Sequence, residues 1–138
     1  MLCTIHSNTQ YMSLLSKTPK PDSTEKWEAQ LRKGCLDLAI LASLWETRLY
    51  GLEILRVLEQ NSRLVVAEGT VYPILSRLKE EGLLQSEWVE AEGGHPRKYY
   101  WLTAAGRLKI VSMAHFWNSF AANLNLLLEP VLNGKERS

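Results

Sequence analysis

Apolar residues fall along this chain at changing rhythms, and the changes mark its elements. From Trp27 onward, Leu31, Leu36, Leu38, Ile40, Leu41, Leu44 and Trp45, with Ala39 and Ala42 between them, are apolar on nearly all sides. That pattern predicts a helix buried at the centre of a small domain, with Gly34 allowing a bend or a close contact near its start. Tyr50-Gly51 then interrupts. Leu52, Ile54, Leu55 and Leu58 predict a second, shorter amphipathic helix whose wet side carries Arg56, Glu59, Gln60 and Asn61. After the connector Leu64-Val65-Val66, a third helix is expected from about residue 68 to 81. Gly82 stops it, as glycine commonly does just past a helix end.

Beyond Gly82 the period becomes two. Residues 84–89 and 97–102 read as strands, and Glu92-Gly93-Gly94-His95-Pro96 supplies the turn of a hairpin. Thr103 is a good N-cap for a last helix, expected to reach about Leu128 and to end before Pro130. The fold class is therefore mainly α with a small β-hairpin, in the order of a winged helix-turn-helix with one added helix. The expected organisation is an N-terminal arm (1–24), the winged helix-turn-helix (25–102), a C-terminal dimerisation helix (103–132) and a tail (133–138). Pro19-Lys20-Pro21-Asp22 forbids a continuous helix through the end of the arm and marks a linker. Met12 offers an alternative start to Met1.

Composition narrows the classes. The 138 residues have room for one domain plus an arm, and 46% hydrophobic with 22% charged residues is ordinary for a globular protein. No apolar run approaches the roughly 18 residues of a membrane span, and the first residues lack the basic and apolar regions of a secretory signal. Cys3 and Cys35 are too far apart for a metal knuckle, and Cys3-Thr4-Ile5-His6 has no second ligand pair. Reduced thiols in the cytoplasm are the simplest reading, with no cofactor. No Ser/His/Asp spacing, phosphate loop or H-E-x-x-H occurs, and the adjacent Glu80 and Glu81 diverge on a helix, so an enzyme is not expected. The formal charge is only +1. A nucleic-acid reading therefore rests on where the charges lie, because such domains are often far more basic.

In the third helix, Val71, Ile74, Leu75 and Leu78 make one apolar stripe, leaving Gly69, Tyr72, Pro73, Ser76, Arg77 and Glu80 on the opposite face. Small residues near the N-terminus, followed by hydroxyl and guanidinium groups, suit a major groove. The same face also suits an ordinary surface helix. Its neighbours tip the balance: Arg97 and Lys98, beside His95, sit at the hairpin tip, and Arg32 and Lys33 form a second cationic site. With few phosphate contacts expected, affinity should fall only moderately with salt. In the last helix Ile110, Met113, Trp117, Phe120, Leu124, Leu127 and Val131 alternate at spacings of three and four. That seam predicts a homodimer, which places two reading helices about 34 Å apart for a pseudo-palindromic operator. Packing back on its own domain is the alternative. The aromatic cluster of Trp101, Phe116, Trp117 and Phe120 leaves a small-molecule effector open but unsupported, and a winged helix that binds protein rather than DNA is the main rival.

Ordered blocks carry a family resemblance. Lys33-Gly34-Cys35-Leu36-Asp37-Leu38-Ala39-Ile40-Leu41, Tyr50-Gly51-Leu52-Glu53-Ile54, Glu68-Gly69-Thr70-Val71-Tyr72-Pro73-Ile74-Leu75-Ser76-Arg77-Leu78 and Glu81-Gly82-Leu83-Leu84 come first. Gly93-Gly94-His95-Pro96-Arg97-Lys98-Tyr99-Tyr100 and Leu102-Thr103-Ala104-Ala105-Gly106-Arg107 complete the series. Together they resemble the PadR family of bacterial transcriptional regulators over residues 31 to about 107. The resemblance implies double-stranded DNA as partner, a dimer built by the C-terminal helix and repression of a nearby promoter. It implies that Tyr72 contacts the DNA backbone with Thr70 and Arg77 beside it, that Lys33 touches phosphate, and that Arg97 and Lys98 form the wing contact. Glu68 and Pro73 belong to the same surface. Ala67 departs from the pattern, since a Ser or Thr there would cap the helix. The single last helix resembles the compact subgroup. A family member with an added arm is similar to the cyanobacterial circadian-clock modifiers, which implies a clock gene as target.

Overall fold

The computed structural model describes residues 22–61, 64 and 67–134. Most of the expected arm lies outside them, as do Cys3, His6 and Met12. The described residues form seven elements: α1 (Asp22–Ser43), β1 (Leu49–Tyr50), α2 (Gly51–Asn61), α3 (Glu68–Glu80), β2 (Leu84–Glu90), β3 (Pro96–Leu102) and α4 (Ala104–Leu132). Residues 30–115 form one compact unit, and residues 22–29 and 116–134 belong to a second. None of the described helices is long and apolar enough to cross a membrane.

In the 30–115 unit, Ile40, Leu41 and Leu44 from α1 pack with Ile54, Leu55 and Leu58 from α2 and with Val71, Leu75 and Leu78 from α3. Leu84, Tyr100 and Leu102 of the sheet and Ile110 of α4 close the cluster. Burial of a Leu- or Val-sized side chain contributes about 1.5–3 kcal/mol, so this cluster outweighs any single polar contact in the unit. The first helix corrects its expectation. Its buried residues, Leu36, Ile40, Leu41 and Leu44, form a one-sided stripe, while Trp27 is 59% exposed and Leu31 and Trp45 are exposed too. A Cβ on Gly34 would meet nothing within 4 Å, so no close contact requires that glycine.

The sheet is antiparallel with β3 in the middle, in the order β1-β3-β2. Register pairs Leu84 with Leu102 and Glu90 with Pro96, and β1 adds Leu49 opposite Tyr100 and Tyr50 opposite Tyr99. Two-residue β1 carries no periodicity and went unread in the sequence. It matters because its last residue leads straight into α2, where the Tyr50 N–H donates to the Glu53 carboxylate at 3.2 Å. This is the backward half of a capping box, and it ties the start of α2 to the sheet.

Helix α3 ends as the glycine predicts. The Gly82 N–H donates to the Lys79 carbonyl and the Leu83 N–H to the Leu78 carbonyl, both at 3.0 Å, with Gly82 at φ +79°. That is a Schellman motif, which only a residue tolerant of positive φ completes cheaply. At the other end Ala67 holds the N-cap position without a side-chain bond. Thr103 caps α4 as expected: its hydroxyl accepts from the Gly106 N–H at 3.0 Å and donates to the Gly82 carbonyl at 2.6 Å. Helix α4 continues through Pro130, correcting the expected stop there. Proline removes one ladder bond, and the Asn133 N–H resumes the ladder by donating to the Glu129 carbonyl at 3.0 Å.

Two substitutions test this packing. Ala67→Ser supplies the missing cap and should raise the unfolding free energy by about 1 kcal/mol in a denaturant titration. Leu75→Ala should lower it by about 2–5 kcal/mol, as expected for a buried leucine that leaves a cavity.

Candidate nucleic-acid interface

With Val71, Leu75 and Leu78 turned inward, the 100° step of the helix sends Gly69, Tyr72, Pro73 and Ser76 outward, and all four are exposed. Glu68 and Thr70 are exposed at the first turn. Pro73 lies inside α3 and gives the Gly69 carbonyl no N–H, yet the helix persists because its other face is fixed in the core.

A cleft of about 430 Å³ runs between this face and the hairpin, lined by Tyr72 and Ser76 from α3 and by Trp88, Arg97, Lys98 and Tyr100 from the sheet. Tyr50, Gly51 and Leu52, at the start of α2, form part of its wall. Tyr72 is 37% exposed. Burial of the rest of its ring, and secondarily the Glu68 charge, push its phenol above its usual pKa. The hydroxyl is therefore a protonated hydrogen-bond donor across the neutral range. Tyr100 is buried, and its phenol is raised by that burial first and then by Tyr72.

Two arginines near this surface are paired with carboxylates. Arg77 donates to Asp37 of α1 at 2.7 Å and to Glu81 at 2.8 Å, and the Asp37 hydrogen bond is the foremost reason its guanidinium is held above its usual pKa. Arg48 pairs with Glu87 at 2.8 Å. By contrast, no carboxylate among the described residues pairs with Arg97 or Lys98. The Arg97 guanidinium lies 4.5 Å from the centre of the Tyr50 ring, and the Lys98 ammonium lies 5.7 Å from that of Trp88. An aromatic face steadies a cation while leaving its N–H donors available.

The structure thus brings Tyr72, Ser76, Arg97 and Lys98 to one cleft. Arg77, expected among the reading residues, does not line the cleft; it bonds Asp37 of α1 and Glu81 while its side chain stays 47% exposed. Lys33 is exposed on α1 and His95 at the hairpin tip, and neither lines the cleft. Trp88, 66% exposed, and Gly51 were not singled out from the sequence. The hairpin register, countable outward from Gly93-Gly94, sets Trp88 opposite Lys98 and could have pointed to it.

The expected seam of α4 divides. Ile110 is 5% exposed and Met113 packs against the same core, so both serve their own unit. From Trp117 onward the stripe is exposed: Trp117, Phe120, Leu124, Leu127 and Val131 all present surface. Phe116 and Phe120 stack with centres 5.8 Å apart. A separate apolar groove of about 410 Å³ is lined by Leu38, Ala42, Trp45, Ile110, Val111, Ala114 and His115. Among the described residues, no three His, Cys, Asp or Glu side chains come together to hold a metal ion.

Comparison with known proteins places this geometry. The model of the PadR-like family of transcriptional regulators matches residues 40–111, just over half of the chain. The crystal structure of a PadR family transcriptional regulator from Eggerthella lenta is 30% identical, with a TM-score of 0.69, covering 78% of this chain and 94% of its own. A PadR-like transcription factor from Bacteroides fragilis is 38% identical with a TM-score of 0.62, covering 74% and 98%. A protein of Lysinibacillus sphaericus described only as uncharacterized is 26% identical over 99 residues, or 70% of this chain and 91% of that protein. Members of this family are transcription regulators, not enzymes, and the chain belongs to it: it is a PadR-like transcriptional regulator.

Proposed function

We propose that the protein is a repressor that binds a pseudo-palindromic operator as a homodimer, with α3 in the major groove and the β2–β3 hairpin on the adjoining backbone. One observation carries this reading: the outward face of α3 and two cations without carboxylate partners among the described residues share a single cleft. Tyr72 and Ser76 offer hydroxyl donors to phosphate or base edges, Gly69 lets the backbone approach closely, and Lys98 and Arg97 supply the charge. Glu68, Thr70 and Pro73 border the same face, and Lys33 extends it along α1 as an outlying phosphate contact. Because Arg77 is occupied by Asp37 and Glu81, it serves this reading as a brace.

The dimer is supported by the exposed stripe of α4. Phe116 is 70% exposed, and Trp117, Phe120, Leu124 and Leu127 follow it at helical spacing. An apolar surface of that extent is uncommon unless it meets a partner, and a seam at heptad spacing meets its own copy in a symmetric pair. Release by an apolar small molecule is a second reading, favoured by the groove beside Trp45. The circadian target expected from the arm rests on residues outside those described.

Gel-shift titration against the DNA upstream of the protein's own gene, at rising salt, tests the surface. Arg97→Ala should weaken binding to all sequences alike. It should also make the log–log salt dependence shallower by about one for each phosphate that Arg97 neutralises, hence by about two in a dimer. Tyr72→Ala should also weaken binding, and full affinity in both variants contradicts the assigned surface. A module that binds only protein would give no shift, or a shift that competitor DNA of any sequence removes. For the dimer, Trp117→Asp combined with Phe120→Asp should give monomers by native mass spectrometry; persistent dimers refute the seam.

A further inference from the structure

Gly51 opens α2 and is buried. Its φ is not among the positive ones, so its backbone does not demand glycine. What demands it is space. A Cβ built on Gly51 would lie 2.5 Å from both Cε1 and the hydroxyl oxygen of Tyr72 and 2.7 Å from Cζ, and these are its three nearest atoms. No real Cβ sits that close to another atom. Gly34 and Gly69, also on helices, have nothing within 4 Å of the same position. At Gly106, the other crowded helical glycine, the nearest atoms belong to the Leu83 backbone, whereas at Gly51 all three belong to the Tyr72 side chain. The contact is therefore specific: the outer end of the Tyr72 ring rests on the one residue of α2 that lacks a side chain.

We propose that Gly51 is a positioning residue for DNA binding, a seat that sets the direction in which the Tyr72 hydroxyl points. This rests on the reading of Tyr72 as a DNA contact. The seat is held firmly from behind. Gly51 follows β1, whose Tyr50 pairs with Tyr99 of the central strand, and the Glu53 carboxylate accepts from the Tyr50 N–H. Tyr72 itself stands on a helix whose rotation is fixed by Val71 and Leu75, both fully buried. The two elements are each anchored in the core, so only the phenol is free to yield. A methyl group at residue 51 would meet the far end of a rotatable side chain, not backbone. The chain should fold and the phenol should turn away.

The test is Gly51→Ala, with Tyr72→Ala and the double substitution, each measured for thermal unfolding and for operator affinity. Gly51→Ala should melt close to the parent yet bind DNA about ten- to a hundredfold more weakly, the range of one hydrogen bond to a charged group. It should match Tyr72→Ala, and the double variant should be no weaker than either single one, because the second change removes an interaction that is already missing. A readout without DNA accompanies it: with 3-fluorotyrosine incorporated, the Tyr72 fluorine resonance, assigned by its disappearance in Tyr72→Phe, should shift in Gly51→Ala. Parent-like affinity in a folded Gly51→Ala, additive losses in the double variant or an unmoved Tyr72 resonance would each overturn the proposal. If Gly51→Ala does not fold, recovery of folding in the double variant supports the seat and continued unfolding refutes it. Unchanged affinity in Tyr72→Ala would instead overturn the DNA reading of Tyr72, with the fluorine shift still reporting on the seat.

Discussion

Val71, Leu75 and Leu78 fix the rotation of α3 about its own axis, and the rest of the binding surface depends on that constraint. All three are at most 1% exposed. Turning the helix by one residue would bring Tyr72 and Ser76 inward in their place. Burying hydroxyls without partners costs roughly 1–3 kcal/mol each, and each aliphatic side chain released to water forfeits about 1.5–3 kcal/mol more. No surface hydrogen bond competes with that. The helix therefore tolerates defects that would weaken an isolated one, an uncapped start at Ala67 and a proline at residue 73, and still presents a fixed outward face.

The second half of the surface is positioned by the middle strand. β3 buries Tyr100 and Leu102 in the same core as α3 and, nearer the hairpin tip, carries Arg97 and Lys98 into the cleft. Wing and helix are thus two ends of one packed unit, with β1 clamping the far edge of β3. The charge distribution makes sense of a chain with a formal charge of only +1. Arg48 and Arg77 are engaged by carboxylates within the fold. Arg97 and Lys98 rest on aromatic rings, which steady a cation without neutralising it. In the proposed dimer, a weakly charged monomer of this kind would gain affinity from doubling the surface rather than from a large field around it.

Much of this was legible in the sequence because periodicity reports which faces are buried. The helix–helix–helix–hairpin–helix order, the stop at Gly82 and the cap at Thr103 all follow from local chemistry that acts within a few residues. What escaped was non-local. β1 is two residues long and exists only because β3 lies beside it, so no run of alternating residues could announce it. The apolar residues of α1 read as buried on every side, but within its unit only Leu36, Ile40, Leu41 and Leu44 are fully covered, with Leu38 and Ala39 partly buried beside them. Ile110 fitted the seam by spacing and is claimed by the core, because the first turns of α4 lie on their own unit. A helical wheel puts Arg77 on the outward face but cannot show its bond to Asp37, 40 residues away. Gly51 looked like punctuation, and only the position of the Tyr72 ring shows what its missing side chain makes room for.

The central claim is that helix and wing act as one surface, used twice. Selection of binding sites from random double-stranded DNA with the purified protein tests it most directly. The account predicts a two-fold symmetric consensus whose half-sites lie about 10 base pairs apart, the spacing of two recognition helices on one face of the duplex. Enrichment of a single unpaired half-site, or of no sequence at all, would contradict it.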